Sequence, residues 1–346
     1  MSSNQPQKYT DRALQDMSSA VLVLDCRENI IYVNQPASEI LEVESGRRQA
    51  ETQFSLYSED SYNDAFHDAI LDALYQKKST NLQTVPYQSP SGKKYVLDMS
   101  SSFLPGVTED DSQLVVTFAD QTEFEATRIR LRDSSRTFST FLFGFCIWIL
   151  FYAFWEFLGR PWPASVMTHG VELLGITMLL FIFSYTSLTW RDLGVLTDRP
   201  VQTVRTGLIV AGCAVVLLFV IKMIARLISP TSFRPDLPFF DIRLFGVRQI
   251  IYIFTAGIQE FLARSVIQGN IKRITVVKRP GVLAIFLSSL IFAALHIHLG
   301  FLFMCGAAIL AGLEGILYEK QDNIFGVWIV HWVFGVCGTM LSLIDH

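Results

Sequence analysis

FSTFLFGFCIWILFYAFWEFL, residues 138–158, is a run of 21 residues with one acidic or basic side chain, Glu156. About 20 apolar residues in a helix cross the roughly 30 Å hydrocarbon core of a bilayer, so the run reads as a membrane-crossing helix. Six similar stretches follow, near 164–188, 204–229, 246–269, 281–298, 300–318 and 323–344. The fifth and sixth are separated only by Leu299-Gly300, which reads as a tight hairpin. The expected fold over 138–344 is an all-α polytopic membrane bundle of about seven transmembrane helices.

Bulk composition agrees. Globular chains are about a quarter charged, whereas this one is 17% charged, with a mean hydropathy of +0.35 despite a polar first third. The apolar excess must therefore sit in the rest of the chain. The net charge of −4 gives no reason to expect a nucleic-acid partner. The 5 cysteines show no CxxC or CxxH spacing, which argues against a disulfide framework or a zinc knuckle. The N-terminus lacks the basic-then-apolar design of a signal peptide and is expected to stay in the cytosol. Basic residues follow the positive-inside rule on that basis. Arg191, Arg199, Arg205, Lys272, Arg273, Lys278, Arg279 and Lys320 fall on the cytoplasmic side, and Arg160, Arg234 and Arg243 opposite. A multi-pass protein of the inner (plasma) membrane is expected, with its C-terminus across the bilayer from its N-terminus.

Ahead of the bundle the pattern changes. Ala20–Asp25 and Ile30–Asn34 read as a strand pair around the turn Arg27-Glu28-Asn29. Pro36–Leu41 reads as a short helix, and Ser58–Leu74 as an amphipathic one with Tyr62, Phe66, Ile70 and Leu74 on one face. Strands are expected near 82–87, 94–102 and 113–119, giving an α+β layout with one antiparallel sheet. Val21-Leu22-Val23-Leu24-Asp25, Ile31-Tyr32-Val33-Asn34, Ala37 with Ile40-Leu41, and the closing Asp120-Gln121-Thr122-Glu123 resemble a PAS domain over residues 17–123. That resemblance implies a sensory or dimerising module. Its ligand is unknown: Cys26 lacks the surroundings of a flavin-adduct cysteine, and His67 alone does not define a haem pocket.

Residues 124–137 read as a charged linker helix with Arg128, Arg130, Arg132 and Arg136. Phe124, Leu131 and Phe138 are at heptad spacing, so this segment reads either as a short homodimer seam continuing from the PAS-like domain or as a solvated linker.

Ionisable groups inside a bilayer cost roughly 2.5–3.5 kcal/mol each and need a partner or a purpose. The fourth stretch holds Gln259, Glu260 and Arg264, the fifth His296 and His298, and the seventh His331. Glu260 and Arg264 are i, i+4 and so share a helix face. His296 and His298 lie about 200° apart unless the helix unwinds near Gly300. Glu156, the pair His169 and Glu172, and Glu314 with Glu319 read as local or solvent-near groups. Three readings of the central set stand. A histidine and a carboxylate can activate water; two histidines and a carboxylate can ligate zinc; or a buried ion pair can simply fix packing.

Gln259-Glu260-Phe261-Leu262-Ala263-Arg264, Phe292-Ala293-Ala294-Leu295-His296 and His331-Trp332-Val333-Phe334-Gly335 resemble the three motifs of the CPBP family, the CAAX prenyl protease-like membrane proteins, within 255–340. The resemblance implies an intramembrane endopeptidase with catalytic residues Glu260, His296, His331, Arg264 and Gln259. Glu260 and His296 would work on the water, Arg264 would fix Glu260, and His331 would help hold the oxyanion. A divalent metal such as zinc, if one is used, would be held by Glu260, His296 and His331. Two positions depart from the family pattern. Gln259 stands where the first glutamate is expected and has no useful basicity. Gly335 stands where an asparagine is expected. The expected function is a PAS-regulated endopeptidase acting on a membrane-associated or lipidated peptide that enters from the lipid bilayer. The alternative is a non-catalytic regulator that binds a partner in the same cavity.

Overall fold

The computed structural model describes residues 14–15, 17–47, 54, 61–229 and 238–343, in two compact units that divide between Arg128 and Ile129.

In the first unit, strands β1 (Ala20–Asp25), β2 (Ile30–Val33), β3 (Gly46–Arg47), β4 (Thr80–Gln88), β5 (Lys94–Leu104) and β6 (Gln113–Asp120) form one sheet in the order β3-β2-β1-β6-β5-β4. The pairings between neighbours are all antiparallel. The expected α+β layout forms, with the short β3 as an addition at the edge. Helices α1 (Gln35–Leu41) and α2 (Asp64–Tyr75) connect the strands. Leu22, Leu24, Val116 and Phe118 point into a core with Phe66, Ile70 and Leu74 of α2. Tyr62 falls outside α2 in a 3₁₀ turn and is exposed, and residues 58–60 of the expected helix lie outside the described residues. Central strand β1 is buried on both faces, because Val21 and Val23 pack with Tyr32 and Leu14 on the side away from the helices.

Asn34 ties this unit together. Its side-chain oxygen accepts from Val21 N (2.8 Å) and from Ala37 N (3.1 Å), where it caps α1. Its amide donates to Leu14 O (3.0 Å) and Ser19 O (2.9 Å). At the other end of α1, Glu42 adopts φ 56° and accepts from Ser89 Oγ (2.8 Å), Ser91 N (2.9 Å) and Ser91 Oγ (2.5 Å).

The second unit is helical: α3 (Thr122–Phe157, which starts in the first unit), α4 (Ser165–Tyr185), α5 (Pro200–Ile228), α6 (Val247–Ile274), α7 (Pro280–Leu295), α8 (Phe301–Gln321) and α9 (Ile324–Met340). The charged linker and the first apolar stretch are one continuous helix, α3. Five helices (α3, α4, α5, α6 and α8) are long and apolar enough to cross a membrane, while α7 and α9 are shorter, at 16 and 17 residues. Arg234, counted in the basic-residue pattern, lies outside the described residues.

Helix α6 is the most enclosed of the long helices, and its middle, Phe261–Gln268, is π-helical and buried throughout. Such wide turns are rare and concentrate at functional sites. One side of the segment packs Leu262 and Val266 into a cluster with Phe141 and Trp148 of α3 and Met178 of α4. The other side packs Ala263 against Phe292 of α7 and Ala311 of α8. Tryptophan donors set the register of α9 on α6: Trp328 Nε1 bonds Ile253 O at 2.6 Å and Trp332 Nε1 bonds Gln249 O at 3.0 Å. The C-terminus of α9 is closed by Lys222 of α5, whose ammonium donates to Leu341 O (2.5 Å) and Phe239 O (2.8 Å) and satisfies carbonyls that have no helical partner.

The Ser91 hydroxyl, followed by that of Ser89, holds the Glu42 carboxyl below its usual range. A depressed acid stabilises the fold above its unfolded-state pKa, and that contribution disappears as pH falls through the folded-state value. Wild type should therefore protect the amides of α1 and β5 from hydrogen exchange better than Glu42→Gln at neutral pH. The difference should close on acidification below the ordinary carboxylate range. A gap of constant size across that window would contradict the assignment.

Candidate active site in the helical unit

Arg264 lies in the middle of the π-helical segment with no solvent exposure. Its Nε donates to Glu260 Oε2 at 2.9 Å, Nη1 to Gln268 Oε1 at 3.1 Å and Nη2 to Glu314 Oε2 at 3.3 Å. The expected i, i+4 ion pair is present, and the same guanidinium also reaches a second carboxylate on α8. Gln268 passes the connection on, donating to Gly315 O at 3.1 Å. The second oxygen of Glu260 accepts from His331 Nδ1 on α9 at 2.6 Å. Helices α6, α8 and α9 are thus joined by one charge-assisted network of buried groups.

His296 and His298 follow the end of α7. The helix stops at Leu295, a 3₁₀ turn covers Ile297–Leu299, and Gly300 turns the chain at φ 101°, a conformation that favours glycine. This unwinding brings the two imidazoles to the same side, with ring centroids 6.4 Å apart. His296 Nδ1 donates to Phe292 O at 2.8 Å, and His298 Nε2 pairs with Thr168 Oγ1 of α4 at 3.0 Å. Phe292 sits between the two site histidines, 4.5 Å from His296 and edge-on to His331 at 5.8 Å. Tyr252 of α6 also borders His331, with ring centroids 6.1 Å apart.

Three of the sequence-derived residues, Glu260, Arg264 and His331, are in direct contact. His296 is held beside them through Phe292. Gln259 is buried, and its amide makes no hydrogen bond to a described residue. The expected metal set is Glu260, His296 and His331, and the structure draws Glu314 close to Glu260 and His331. The buried group whose ligand atoms lie within 4.8 Å of one another is Glu260, Glu314 and His331. Arg264 already occupies both of those carboxylates, and a dication there would face a guanidinium. The donor set fits an internal ion pair and does not fit zinc.

Glu314 requires correction. It was read as a solvent-near residue at a helix end, yet it is 1% exposed and its Oε1 is buried without a partner. Its place seven residues inside the C-terminus of an apolar helix was the available signal. His169 pairs locally with Glu172 (3.0 Å), and Glu156, near the end of α3, pairs with Arg160 (2.9 Å). Glu172 also accepts from Thr255 of α6 at 3.0 Å.

Apolar helices closed around a cluster of buried polar groups define a membrane protein with a polar site in its interior. Within it, residues 243–337 match the family described as Type II CAAX prenyl endopeptidase Rce1-like, so the chain carries an Rce1-like domain that spans every residue of the cluster. No curated protein matches the chain. The N-terminal region resembles PAS and LOV domains. A PAS domain from a two-component sensor histidine kinase is 20% identical, with 34% of this chain and 98% of that chain covered and a TM-score of 0.26. The LOV domain of the Erythrobacter litoralis EL346 blue-light activated histidine kinase is 13% identical, over 31% and 98% of the chains, with a TM-score of 0.26. The Rhodobacter sphaeroides LOV protein is 13% identical, over 38% and 79%, with a TM-score of 0.28.

Removing one partner of a buried ion pair leaves an uncompensated charge, at a cost of about 3–5 kcal/mol. Arg264→Leu is expected to lose most of its folded fraction in detergent, followed by gel filtration after a heat challenge. Arg264→Lys should fall in between, because an ammonium cannot fork to both carboxylates. An Arg264→Leu protein as heat-resistant as wild type would show that the cluster does not hold the bundle.

Proposed function

We propose that the chain is an intramembrane endopeptidase that hydrolyses a peptide bond of a membrane-associated or lipidated substrate under control of its N-terminal PAS-like domain. The observation that carries this reading is the 2.6 Å contact between His331 Nδ1 and Glu260 Oε1. A carboxylate that accepts from Nδ1–H fixes the imidazole tautomer and leaves the Nε2 lone pair free to act as a base. His331 Nε2 takes a proton from water as the water oxygen bonds to the substrate carbonyl carbon. The proton then passes to the departing amine nitrogen as the C–N bond breaks. Gln259 orients the water. His296, whose Nδ1 is held by Phe292 O, lends a second lone pair at the same face. Glu260 positions His331 in this scheme and does not touch the water itself, because both of its oxygens are in use. No step is routed through a metal.

Control by the sensor is supported by the loop between α4 and α5. Asp133 of α3 accepts from Ser187 N (2.8 Å) and Ser187 Oγ (2.7 Å) at the start of that loop. Further along, Leu193 O accepts from Ser265 of the π-helical segment (2.5 Å), and Gly194 O accepts from Ile324 N at the start of α9 (2.8 Å). The loop thereby connects α3 to both helices that carry the Glu260–His331 pair. Exposed Phe124 and Leu131 on α3 suit a homodimer seam, and placement in the inner membrane with a cytoplasmic N-terminus belongs to the same proposal. The second reading, a binding device without hydrolysis, draws on the uncharged Gln259 beside a sealed cluster.

The test is proteolysis of a broad pool of membrane peptides by protein reconstituted in vesicles. Wild type should cut, Glu260→Gln and His331→Ala should each lose about 10³-fold or more, and a chelator should change nothing. Cutting by Gln259→Glu alone would mean that the native chain binds and does not hydrolyse.

A further inference from the structure

Adding water to a peptide carbonyl places negative charge on the carbonyl oxygen, and a site that catalyses this step aims a hydrogen-bond donor at that atom. Most donors around His331 are already committed. The Arg264 guanidinium is spent on Glu260, Gln268 and Glu314. The Nδ1–H groups of His331 and His296 are spent on Glu260 and on Phe292 O, so both imidazoles present lone pairs to a substrate. Gln259 is assigned to the water. Among the described residues in ring contact with His331, the uncommitted donor is Tyr252, half-buried on α6 with its ring 6.1 Å away; His298 Nδ1, also without a partner, neighbours His296 instead. The Tyr252 hydroxyl makes no hydrogen bond to a described residue.

The position of that hydroxyl is built into the packing. Gly335 lies one helical turn after His331 on α9. A Cβ added there would come within 2.7 Å of Tyr252 Oη and 2.8 Å of Cζ. The phenol occupies the room that a side chain at 335 would take, so glycine at 335 is what allows the hydroxyl to sit against α9 one turn from His331, with the ring 6.1 Å from the imidazole. Tyr252 and Gln259 are seven residues apart, within about 20° on one helix face and roughly two turns from each other along it, so both face the side of α6 that meets α9.

We propose that Tyr252 is a catalytic residue of this site and that its hydroxyl donates to the substrate carbonyl oxygen as negative charge builds there. The proposal rests on the endopeptidase reading, and its test includes a measurement that does not need turnover. Tyr252→Phe keeps the ring and removes the donor. In the vesicle assay it should lower kcat by about 10²–10³-fold with KM little changed, the signature of an interaction made in the transition state. Gly335→Ala, which displaces the phenol, should act in the same direction. In parallel, binding of a membrane peptide carrying an anionic phosphinate at the scissile position is compared with binding of the parent amide. Wild type should prefer the phosphinate, and Tyr252→Phe should lose that preference. If wild type prefers the phosphinate through Tyr252 but cuts nothing, the donor assignment stands and the endopeptidase reading fails. Unchanged kcat and phosphinate affinity in Tyr252→Phe would overturn the proposal, as would a wild type with no preference for the phosphinate.

Discussion

The Arg264 guanidinium binds carboxylates from two helices, Glu260 at 2.9 Å and Glu314 at 3.3 Å, with no contact to solvent. A charge in that position is tolerable only when its donors are matched by acceptors in fixed places. Much of the helical unit serves that requirement. The π-helical segment sets Arg264 between Glu260 and Gln268, and α8 brings Glu314 and the Gly315 carbonyl to the same point. Trp328 and Trp332 fix α9 on α6 so that His331 meets the free oxygen of Glu260.

The network separates two kinds of polar group. Glu260, Arg264, Gln268 and Glu314 face each other and are buried, with Glu314 Oε1 the one of their oxygens without a partner, which suits positioning more than contact with a substrate. His331, His296, Gln259 and Tyr252 keep an atom uncommitted and lie at the edge of the cluster. A reaction that needs one base, one oriented water and one donor can be assembled from the second group while the first holds it rigid. The loop that starts at Ser187, bonded to Asp133, ties α3 through Leu193 and Gly194 to Ser265 of α6 and to the start of α9, the two helices that carry Glu260 and His331.

Some of this was legible in the sequence because it depends on local spacing. The apolar runs, the i, i+4 pair Glu260–Arg264 and the hairpin at Gly300 all follow from periodicity or from a single residue type. The first unit was similarly readable: short alternating runs and turn residues placed five of its six strands, and only the two-residue β3 was missed. What escaped depends on contacts between helices. Nothing near Glu314 in the chain indicates that Arg264, 50 residues earlier, will claim it. The π-helical segment has no local signature, and its wide turn is accommodated by packing on both sides. The metal reading turns on the same kind of contact. Spacing can count histidines and carboxylates, but it cannot reveal that a guanidinium already lies between the carboxylates. Gly335 reads in the sequence as a missing asparagine, whereas in the fold Tyr252 fills the place its side chain would take.

The account stands most directly on the coupling of Arg264 to Glu314 across α6 and α8. A double-mutant cycle with Arg264→Gln, Glu314→Gln and the pair, read by unfolding of the full chain in detergent, measures it. The account predicts that the double variant is more stable than the sum of the single losses by about 1.5–3 kcal/mol, because each single change strands its partner. Losses that add to within about 0.5 kcal/mol would show that the two residues do not act as a unit, and would remove the constraint on which the architecture of the site depends.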